Sequence, residues 1–340
     1  MNQLNQHLHN LKLSPLASAS LAILLVIYIL VLPIYVQNDN YFLTVLINST
    51  MLSVASLGVW VTFSIGRINI SQGAFCMIGG YATAILMKDY NMSFWIAIVL
   101  SGVFSAFVGV LLGIPLLRLK GVYFAMITLS LTETIRLVML NGTAVTKGAT
   151  GIIEIPRPQA IEIGGFTLLP DFGGSLVFLY YISAVILIIS ALCTWRLSSC
   201  RIGVIFRSLR QNEELATSLG INVANYRVMA FSFCCFLGGI AGSIFAVFQG
   251  SIFPSSYTVN DSVFYMLYCF LGGLDFVFGP IIGAFILTIG FEYLQALQEY
   301  QTVIYGILMI SLMLFLPNGV LTLPDIFRGK KGDKVAEAKK

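Results

Sequence analysis

Long intervals without a charged residue constrain this sequence more than any other feature. Residues 13–38, 40–66, 90–117 and 228–260 contain no Asp, Glu, Lys or Arg, and each exceeds the roughly 20 residues that a helix needs to cross a bilayer. Unpaired backbone groups are costly in lipid, so segments of this kind cross membranes as helices. Only 10% of the residues are charged, whereas soluble domains have about 25%. We therefore predict an all-α polytopic membrane protein.

The apolar stretches and their flanking charges predict about ten transmembrane helices. Two basic clusters, at 196–227 and 328–340, are expected on the cytoplasmic side, where Lys and Arg are retained. If both termini are cytoplasmic, 15 of the 19 basic residues lie inside. The segment 253–276 is the least regular, and we expect some broken or re-entrant helices there. The expected spans are 17–36, 41–65, 68–87, 94–117, 122–141, 176–195, 228–250, 256–272, 276–294 and 301–317.

A single transmembrane domain is expected to occupy residues 17–324. A cytoplasmic segment, 1–16, precedes it, and a basic cytoplasmic tail, 325–340, follows it. The outward loop 142–171 is rich in Gly and Pro, which is typical of turns. This loop is either a plain connector or an ordered docking surface for an external partner. The loop 196–227 is expected on the cytoplasmic side.

The motifs of common catalytic sites are absent from this sequence. It has no phosphate-binding loop of the form G-x-x-x-x-G-K-[ST] and no H-E-x-x-H motif. Its only histidines are His7 and His9, which leaves none for a catalytic triad inside the membrane. The six cysteines lack the spacing of a metal site. We expect a protein that is not an enzyme and that binds no metal and no cofactor itself. The net charge of +4 fits basic cytoplasmic loops rather than nucleic-acid binding.

A short helix is predicted inside the cytoplasmic loop. Asn212 suits the N-cap, and Glu213 and Glu214 suit the positive end of the helix dipole. Gly220 suits the position that ends the helix. So short a helix gains stability from docking on a partner, although an ordinary connector helix remains the alternative. The side chains expected to be exposed on one side are Leu215, Ala216 and Leu219.

Two groups of polar residues are candidates for the translocation path. Glu133 and Arg136 share one face of a span, and Thr128, Ser130 and Thr132 lie on the same span. The two charged residues form either an ion pair that locks the bundle or, with these hydroxyl residues, a polar wall of the path. The second group lies between Gly66 and Gly73, where a broken helix could bind substrate or the polar residues could simply pack. The members of this second group are Asn69, Ser71 and Gln72.

Four runs of the sequence resemble one family of transporters. The run 212–231 is similar to the "E-x-A-A-x-x-x-G-I-x-v-x-x-x-K-x-x-A-F" region of bacterial ABC-transporter permeases, most of all the LivM type of branched-chain amino acid uptake. Three further runs resemble other motifs of the family. The run 121–129 resembles its G-x-Y-F-A-x-x-T-L, and the run 146–152 resembles its T-x-G-x-x-G-I. The run 272–284 resembles its G-G-L-G-x-x-x-G-P-x-x-G-A. They occur in the family's order.

The sequence departs from the family's pattern at four positions. Asn69 and Ser71 replace a serine and a glycine of the family's "G-x-x-S-L-G-x-x-A-F", and Asp275 replaces a glycine in the later motif. Arg227 stands where a lysine is frequent and keeps the charge. The first two changes fall inside a candidate binding segment, so the solute is left open among branched-chain amino acids, urea, short amides and aromatic acids.

The resemblance implies an ABC importer permease bundle in a bacterial inner membrane. Implied partners are two ATP-binding subunits that carry the ATP, a second homologous permease and an extracytoplasmic solute-binding protein. A secondary transporter driven by an ion gradient, with Glu133 as the proton site, is the alternative. The residues that the resemblance assigns to ATPase coupling are Arg210, Asn212, Glu213, Glu214, Leu215, Ala216, Leu219 and Gly220.

Overall fold

The computed structural model describes residues 40–119, 121–158, 161–163, 166–169 and 176–293, with isolated positions between 303 and 310. The N-terminal segment and the basic tail lie outside the described residues. The same is true of the expected span at 17–36 and of most of the span at 301–317.

Eleven α-helices form the described part of the chain. They are α1 (Asn40–Ser64), α2 (Gln72–Lys88), α3 (Phe94–Leu116), α4 (Val122–Asn141), α5 (Thr143–Thr146), α6 (Leu176–Ser199), α7 (Arg201–Gln211), α8 (Glu213–Ser218), α9 (Val223–Gln249), α10 (Val259–Gly272) and α11 (Gly279–Tyr293). The short strands and 3₁₀ turns are β1 (Ile152–Ile153), β2 (Ile161–Ile163), β3 (Phe166–Leu169), β4 (Ser251–Ile252), Gly148–Thr150 and Pro254–Ser256.

Five of these helices are long and apolar enough to cross a membrane, namely α1, α3, α4, α6 and α9. The helices α2, α10 and α11 have only 17, 14 and 15 residues. A 14-residue helix rises about 21 Å, which is less than the hydrocarbon core of a bilayer at about 30 Å. The five long apolar helices confirm the predicted class, a helical membrane protein. The expected number of ten spans is not reached within the described ranges.

Helices α1 and α9 form the centre of the bundle. α9 packs against α1, α2 and α3, and α1 packs in addition against α6, α10 and α11. Glycines allow these close approaches: a Cβ on Gly242 would overlap the carbonyl oxygen of Cys76, and a Cβ on Gly109 would lie 2.5 Å from the Sγ of Cys235. Gly109 with Gly113 and Gly238 with Gly242 form G-x-x-x-G pairs, and their contacts lie inside this chain, as expected of small residues at helix contacts in membranes.

The connecting segments contact one another in two groups, one at each end of the bundle. At one end, Arg67 lies 3.7 Å from Glu213, and Arg210 lies 3.4 Å from Asp275. At the other end, β1 pairs with β4 in an antiparallel manner, and Lys88 donates a hydrogen bond of 2.6 Å to the carbonyl of Ile153. This grouping agrees with the alternation of sides counted from the sequence, in which the first end is the basic one.

The loop that follows α4 is held by hydrogen bonds and contains two glycines with positive φ angles. The Thr146 hydroxyl donates a hydrogen bond of 2.8 Å to the carbonyl of Gly142, and Gly148 and Gly151 adopt positive φ angles of 59° and 61°. A side chain on Gly151 would overlap the carbonyl of Ile252, so β1 and β4 can approach only because this residue is glycine. The loop is thus tied to the segment that follows α9.

The loop 196–227 contains one helix more than the sequence predicts. α6 continues to Ser199, and the 11-residue helix α7 fills the space before α8. Phe206 and Leu209 of α7 are buried, whereas Arg201 and Arg210 are exposed. This amphipathic helix is too short and too rich in arginine to resemble a membrane span, so the charge pattern of the sequence predicts a connector at this position.

Candidate functional site

The short helix α8 begins and ends where its sequence indicates. The Asn212 side chain accepts a hydrogen bond of 3.0 Å from the backbone N–H of Leu215, so the residue is the N-cap. Gly220 has φ of 79°, and its N–H donates to the carbonyl of Thr217 at 2.9 Å. α8 therefore has six residues between two well-formed caps.

The exposed side of α8 consists of two leucines rather than three apolar residues. Leu215 is 60% exposed and Leu219 is 74% exposed, but Ala216 is only 2% exposed. Leu215 and Leu219 are four residues apart and share a face, whereas Ala216 is turned about 100° away and packs into the core. The expectation that Ala216 is exposed is therefore wrong. The leucine pair that remains is an apolar patch at the basic end of the bundle.

Two buried arginines contact Glu213, which lies at the start of α8. Its Oε2 accepts a hydrogen bond from Nη2 of Arg227 and lies 3.7 Å from Nη2 of Arg67. Arg67 is 5% exposed and Arg227 is 8% exposed. Within the described residues, Arg67 Nη2 and Arg227 Nε have no hydrogen-bond partner. Burial and the neighbouring charge of Arg227 lower the pKa of the Arg67 guanidinium.

This three-residue cluster joins separate parts of the chain. Arg67 belongs to the segment between α1 and α2, and Arg227 lies in α9, so α8 is attached to the two central helices. We call Arg67, Glu213 and Arg227 the arginine–glutamate cluster. The sequence marks Glu213 as a candidate coupling residue, but it gives Arg67 and Arg227 no such role. Nothing in the spacing of these residues indicates that they meet.

Arg210 contacts the same end of the bundle through a different partner. Its side chain forms an ion pair of 3.4 Å with Asp275, in the turn between α10 and α11. A Cβ on Gly66 would lie 3.3 Å from the Cα of Arg210, so α7 rests against the turn that follows α1. The neighbouring carbonyl of Leu274 accepts a hydrogen bond of 2.9 Å from Nε1 of Trp60. Exposed Glu214 makes no ion pair within the described residues.

Three polar residues at the junction of α1 and α2 are buried and hydrogen-bonded within the chain: Asn69 and Ser71 lie between the helices, and Gln72 is the first residue of α2. Asn69 Oδ1 accepts hydrogen bonds from the Ser71 N–H at 2.9 Å and from its hydroxyl at 2.6 Å, and Asn69 Nδ2 donates to Cys234 Sγ at 3.3 Å. Gln72 Nε2 donates to the carbonyl of Ala55 at 2.9 Å, and its Oε1 accepts from Cys234 Sγ at 2.9 Å. These side chains hold an irregular backbone segment in the middle of the bundle.

The polar residues of α4 lie on two different faces. Thr128 and Thr132 are buried, and their hydroxyls bind the N–H and the carbonyl of Ile70 at 3.2 and 2.9 Å. Ser130 is exposed and Glu133 is half-buried. The structure therefore brings Thr128 to the segment that holds Asn69 and Ser71. It does not place Thr128 beside Ser130, Glu133 and Arg136.

Glu133 and Arg136 form the ion pair that their spacing predicts. Arg136 Nη2 lies 2.6 Å from Glu133 Oε1, and Arg136 Nε donates to Glu133 Oε2 at 3.0 Å. The side chains are 42% and 25% exposed, respectively, so the pair lies at the surface of this chain and does not lock two of its helices together. Among the described residues, no group of three or more His, Cys, Asp and Glu could hold a metal ion.

Comparison with known proteins decides the family. The family model described as the branched-chain amino acid transport system permease component matches residues 41–313. The chain belongs to the family of branched-chain amino acid transport permeases. This permease is 32% identical to the high-affinity branched-chain amino acid transport system permease protein LivM of Salmonella typhimurium, over 79% of the present chain and 67% of the relative.

Other relatives of the permease are named for branched-chain amino acids and for D-allose. It is 31% identical to LivM of Escherichia coli over the same shares of the two chains. It is 24% identical to the D-allose transport system permease protein AlsC of Escherichia coli, over 86% of this chain and 87% of the relative. No solved structure matches. The permease is thus a membrane transport protein of this family.

Proposed function

We propose that the permease is the transmembrane subunit of an ATP-driven importer that receives its solute from a binding protein. The family membership and the two LivM relatives support branched-chain amino acids, or a related amino acid, as the solute. The observation that carries the proposal is α8, a capped helix with two exposed leucines that an ionic cluster attaches to the central helices.

The proposed partner of α8 is an ATP-binding subunit, and a complete importer has two such subunits. Leu215 and Leu219 offer it an apolar contact, and exposed Glu214 and the exposed, paired Arg210 border that contact. When ATP closes the ATP-binding subunits, α8 moves with them, and Glu213 transmits the motion to Arg67 and Arg227. The free energy comes from the different affinity of the ATP-binding subunits for the two states of the permease.

We further infer that the exposed face of α4 borders the translocation path. Ser130 and Thr134 are exposed and Glu133 is half-buried on a helix whose other exposed residues are largely apolar. An ion pair that faces hydrocarbon is costly, so charged side chains in spans face protein or water. A second, homologous permease opposite this face would enclose the path. Asn69, Ser71, Gln72 and Thr128 then act behind it as positioning residues that hold α4 against the break between α1 and α2.

The opposite end of the bundle is the proposed docking surface for the solute-binding protein. The segment from Gly142 to Ile155 is held by β1–β4 pairing and by Lys88, so it keeps a fixed shape. Lys147, Ile153 and Glu154 are exposed on it. A rigid surface of mixed charge loses little conformational entropy on binding. With the basic end inside, this surface faces outward from a bacterial inner membrane.

Reconstitution tests the proposal directly. The permease, a second permease and two ATP-binding subunits are placed in vesicles, with the cognate binding protein and radiolabelled solute outside. We expect uptake that requires both ATP and the binding protein. Uptake that follows a proton or sodium gradient without ATP would instead support the ion-coupled transporter, and the proposal would be wrong.

The solute is tested on the binding protein, where specificity resides in this proposal. Calorimetric titration compares leucine, isoleucine and valine with phenylalanine, urea, a short amide and D-allose. We expect the aliphatic amino acids to bind most tightly. Tighter binding of urea, an amide or an aromatic acid would keep the importer but change its solute.

A further inference from the structure

A cleft at the basic end of the bundle shares only Arg210 with the proposed contact to the ATP-binding subunit. Its volume is about 80 Å³, and it opens to the surface between α1, α6, α7 and the turn that follows α10. Most of its wall is apolar. The apolar side chains that line it are Trp60, Val61, Leu197, Phe206, Leu274 and Val277.

One positive charge in this cleft is left without a carboxylate partner. Arg210 is paired with Asp275, and both line the cleft. Arg207 also lines it, and its Nη1 donates only to the carbonyl of Ser198, at 3.3 Å, and to the Ser198 hydroxyl, at 3.5 Å. No acidic oxygen lies within 4.0 Å of Arg207 in the part of the chain that the structure describes. Burial lowers the pKa of the Arg207 guanidinium.

The position of the cleft fits a lipid headgroup. α7 is amphipathic and lies at the basic end of the bundle, next to the ends of α1 and α6. Amphipathic helices with basic polar faces lie in the plane of the membrane interface. Basic pockets between helices at the cytoplasmic leaflet bind acidic headgroups, because that leaflet carries the anionic lipids.

We propose that this cleft binds an anionic phospholipid. The phosphodiester accepts hydrogen bonds from Arg207, and one acyl chain lies along the apolar wall beside Trp60 and Leu197. A carboxylate of a partner protein would need the cation but not the apolar wall, so the mixed lining favours lipid. A bound lipid holds α7 against α1 and α6, directly before the helix that meets the ATP-binding subunit.

Fluorescence quenching of Trp60 tests the site. The chain has three tryptophans, and the Trp95→Phe and Trp195→Phe changes leave Trp60 as the reporter. The purified protein is titrated in detergent with phosphatidylglycerol brominated on its acyl chains, and in parallel with brominated phosphatidylcholine. We expect phosphatidylglycerol to quench Trp60 at about a tenth of the phosphatidylcholine concentration, as a charge-assisted hydrogen bond would produce.

Matched variants assign the effect to the cleft. Arg207→Gln is expected to abolish the preference for phosphatidylglycerol, and Arg207→Lys is expected to keep part of it. Arg201→Gln makes the same change of charge on the same helix but outside the cleft, and it should keep the full preference. Equal loss in Arg207→Gln and Arg201→Gln would show general attraction to a basic surface and would overturn the proposal.

Two further results would also contradict the proposal that the cleft binds an anionic phospholipid. Equal quenching by the two brominated lipids in the unsubstituted cleft would mean that the headgroup is not recognised. Displacement of the lipid by millimolar inorganic phosphate would mean that the site takes a free anion and that the acyl chain contributes nothing. Persistence of quenching in millimolar phosphate supports a lipid as the ligand.

Discussion

Replacement of Glu213 by Gln tests the arginine–glutamate cluster. Glu213 is the acidic residue that faces both Arg67 and Arg227, which are 5% and 8% exposed. Gln has nearly the same shape and still accepts one hydrogen bond, so the change removes charge with little change in packing. Two buried guanidinium groups then face each other across a neutral side chain. We expect the end of the bundle that holds α8 to loosen.

The size of the effect follows from the distances. Two unit charges 3.7 Å apart, as in Arg67 and Glu213, attract by about 4 kcal/mol at an effective dielectric constant of 20. The contact with Arg227 adds to this attraction, and the partial exposure of Glu213 screens both contacts. Loss of one partner from a buried ion pair costs about 3–5 kcal/mol. Because Gln retains a hydrogen bond, we expect a loss of about 3 kcal/mol.

The buried cysteines provide the assay. Cys76, Cys234, Cys235 and Cys269 are buried, so a thiol-reactive fluorophore reports their exposure as the detergent-purified protein is heated. Cys193 and Cys200 are exposed and set the baseline. Glu213→Gln should unfold several degrees lower than the unsubstituted protein. Glu214→Gln, which removes the same charge from the next residue, should not.

A double substitution separates the ionic explanation from a general defect. Glu213→Gln combined with Arg227→Gln removes one positive charge as well and should recover part of the lost stability. Non-additivity of this kind is expected of residues in one ionic network. If Glu213→Gln and Glu214→Gln unfold at the same temperature, or if the double variant is no more stable than Glu213→Gln, the account of the cluster is refuted.

Three further predictions, two of them with a control substitution, test other parts of the structure. Glu133→Gln should leave the amount of folded protein in the membrane unchanged but lower solute uptake severalfold, and unchanged uptake would remove Glu133 from the path. Gly242→Ala should cost about 1–3 kcal/mol in the thermal assay, because the methyl group meets backbone. Gly290→Ala, where a Cβ meets nothing within 4 Å, should cost nothing. Gly220→Val should strain the positive φ by about 1–2 kcal/mol and uncouple ATP hydrolysis from uptake, whereas Gly220→Asn, which tolerates that backbone, should remain coupled. ATP-driven uptake at the normal rate in Gly220→Val would contradict the assignment of α8.

The candidate site was only partly accessible from the sequence. The capped helix α8 and the Glu133–Arg136 pair were predicted correctly because caps and pairs three residues apart depend on neighbours along the chain. The burial of Ala216 was missed because it depends on how α8 packs against the rest of the bundle. α7 was missed because a short amphipathic helix at an interface has neither the length nor the apolar composition of a span.

What the sequence determined by itself is the membrane class, the sidedness of the connecting segments relative to one another, and the ends of α8. These follow from the scarcity of charge and from residue types that act within a few positions. Only the tertiary structure brought Arg67 and Arg227 to Glu213 and turned Thr128 and Glu133 to opposite faces of α4. It also bonded Asn69 to Cys234, 165 residues away. The packing of whole helices decides such contacts, because close glycine contacts fix how each helix is rotated and no local spacing records that rotation.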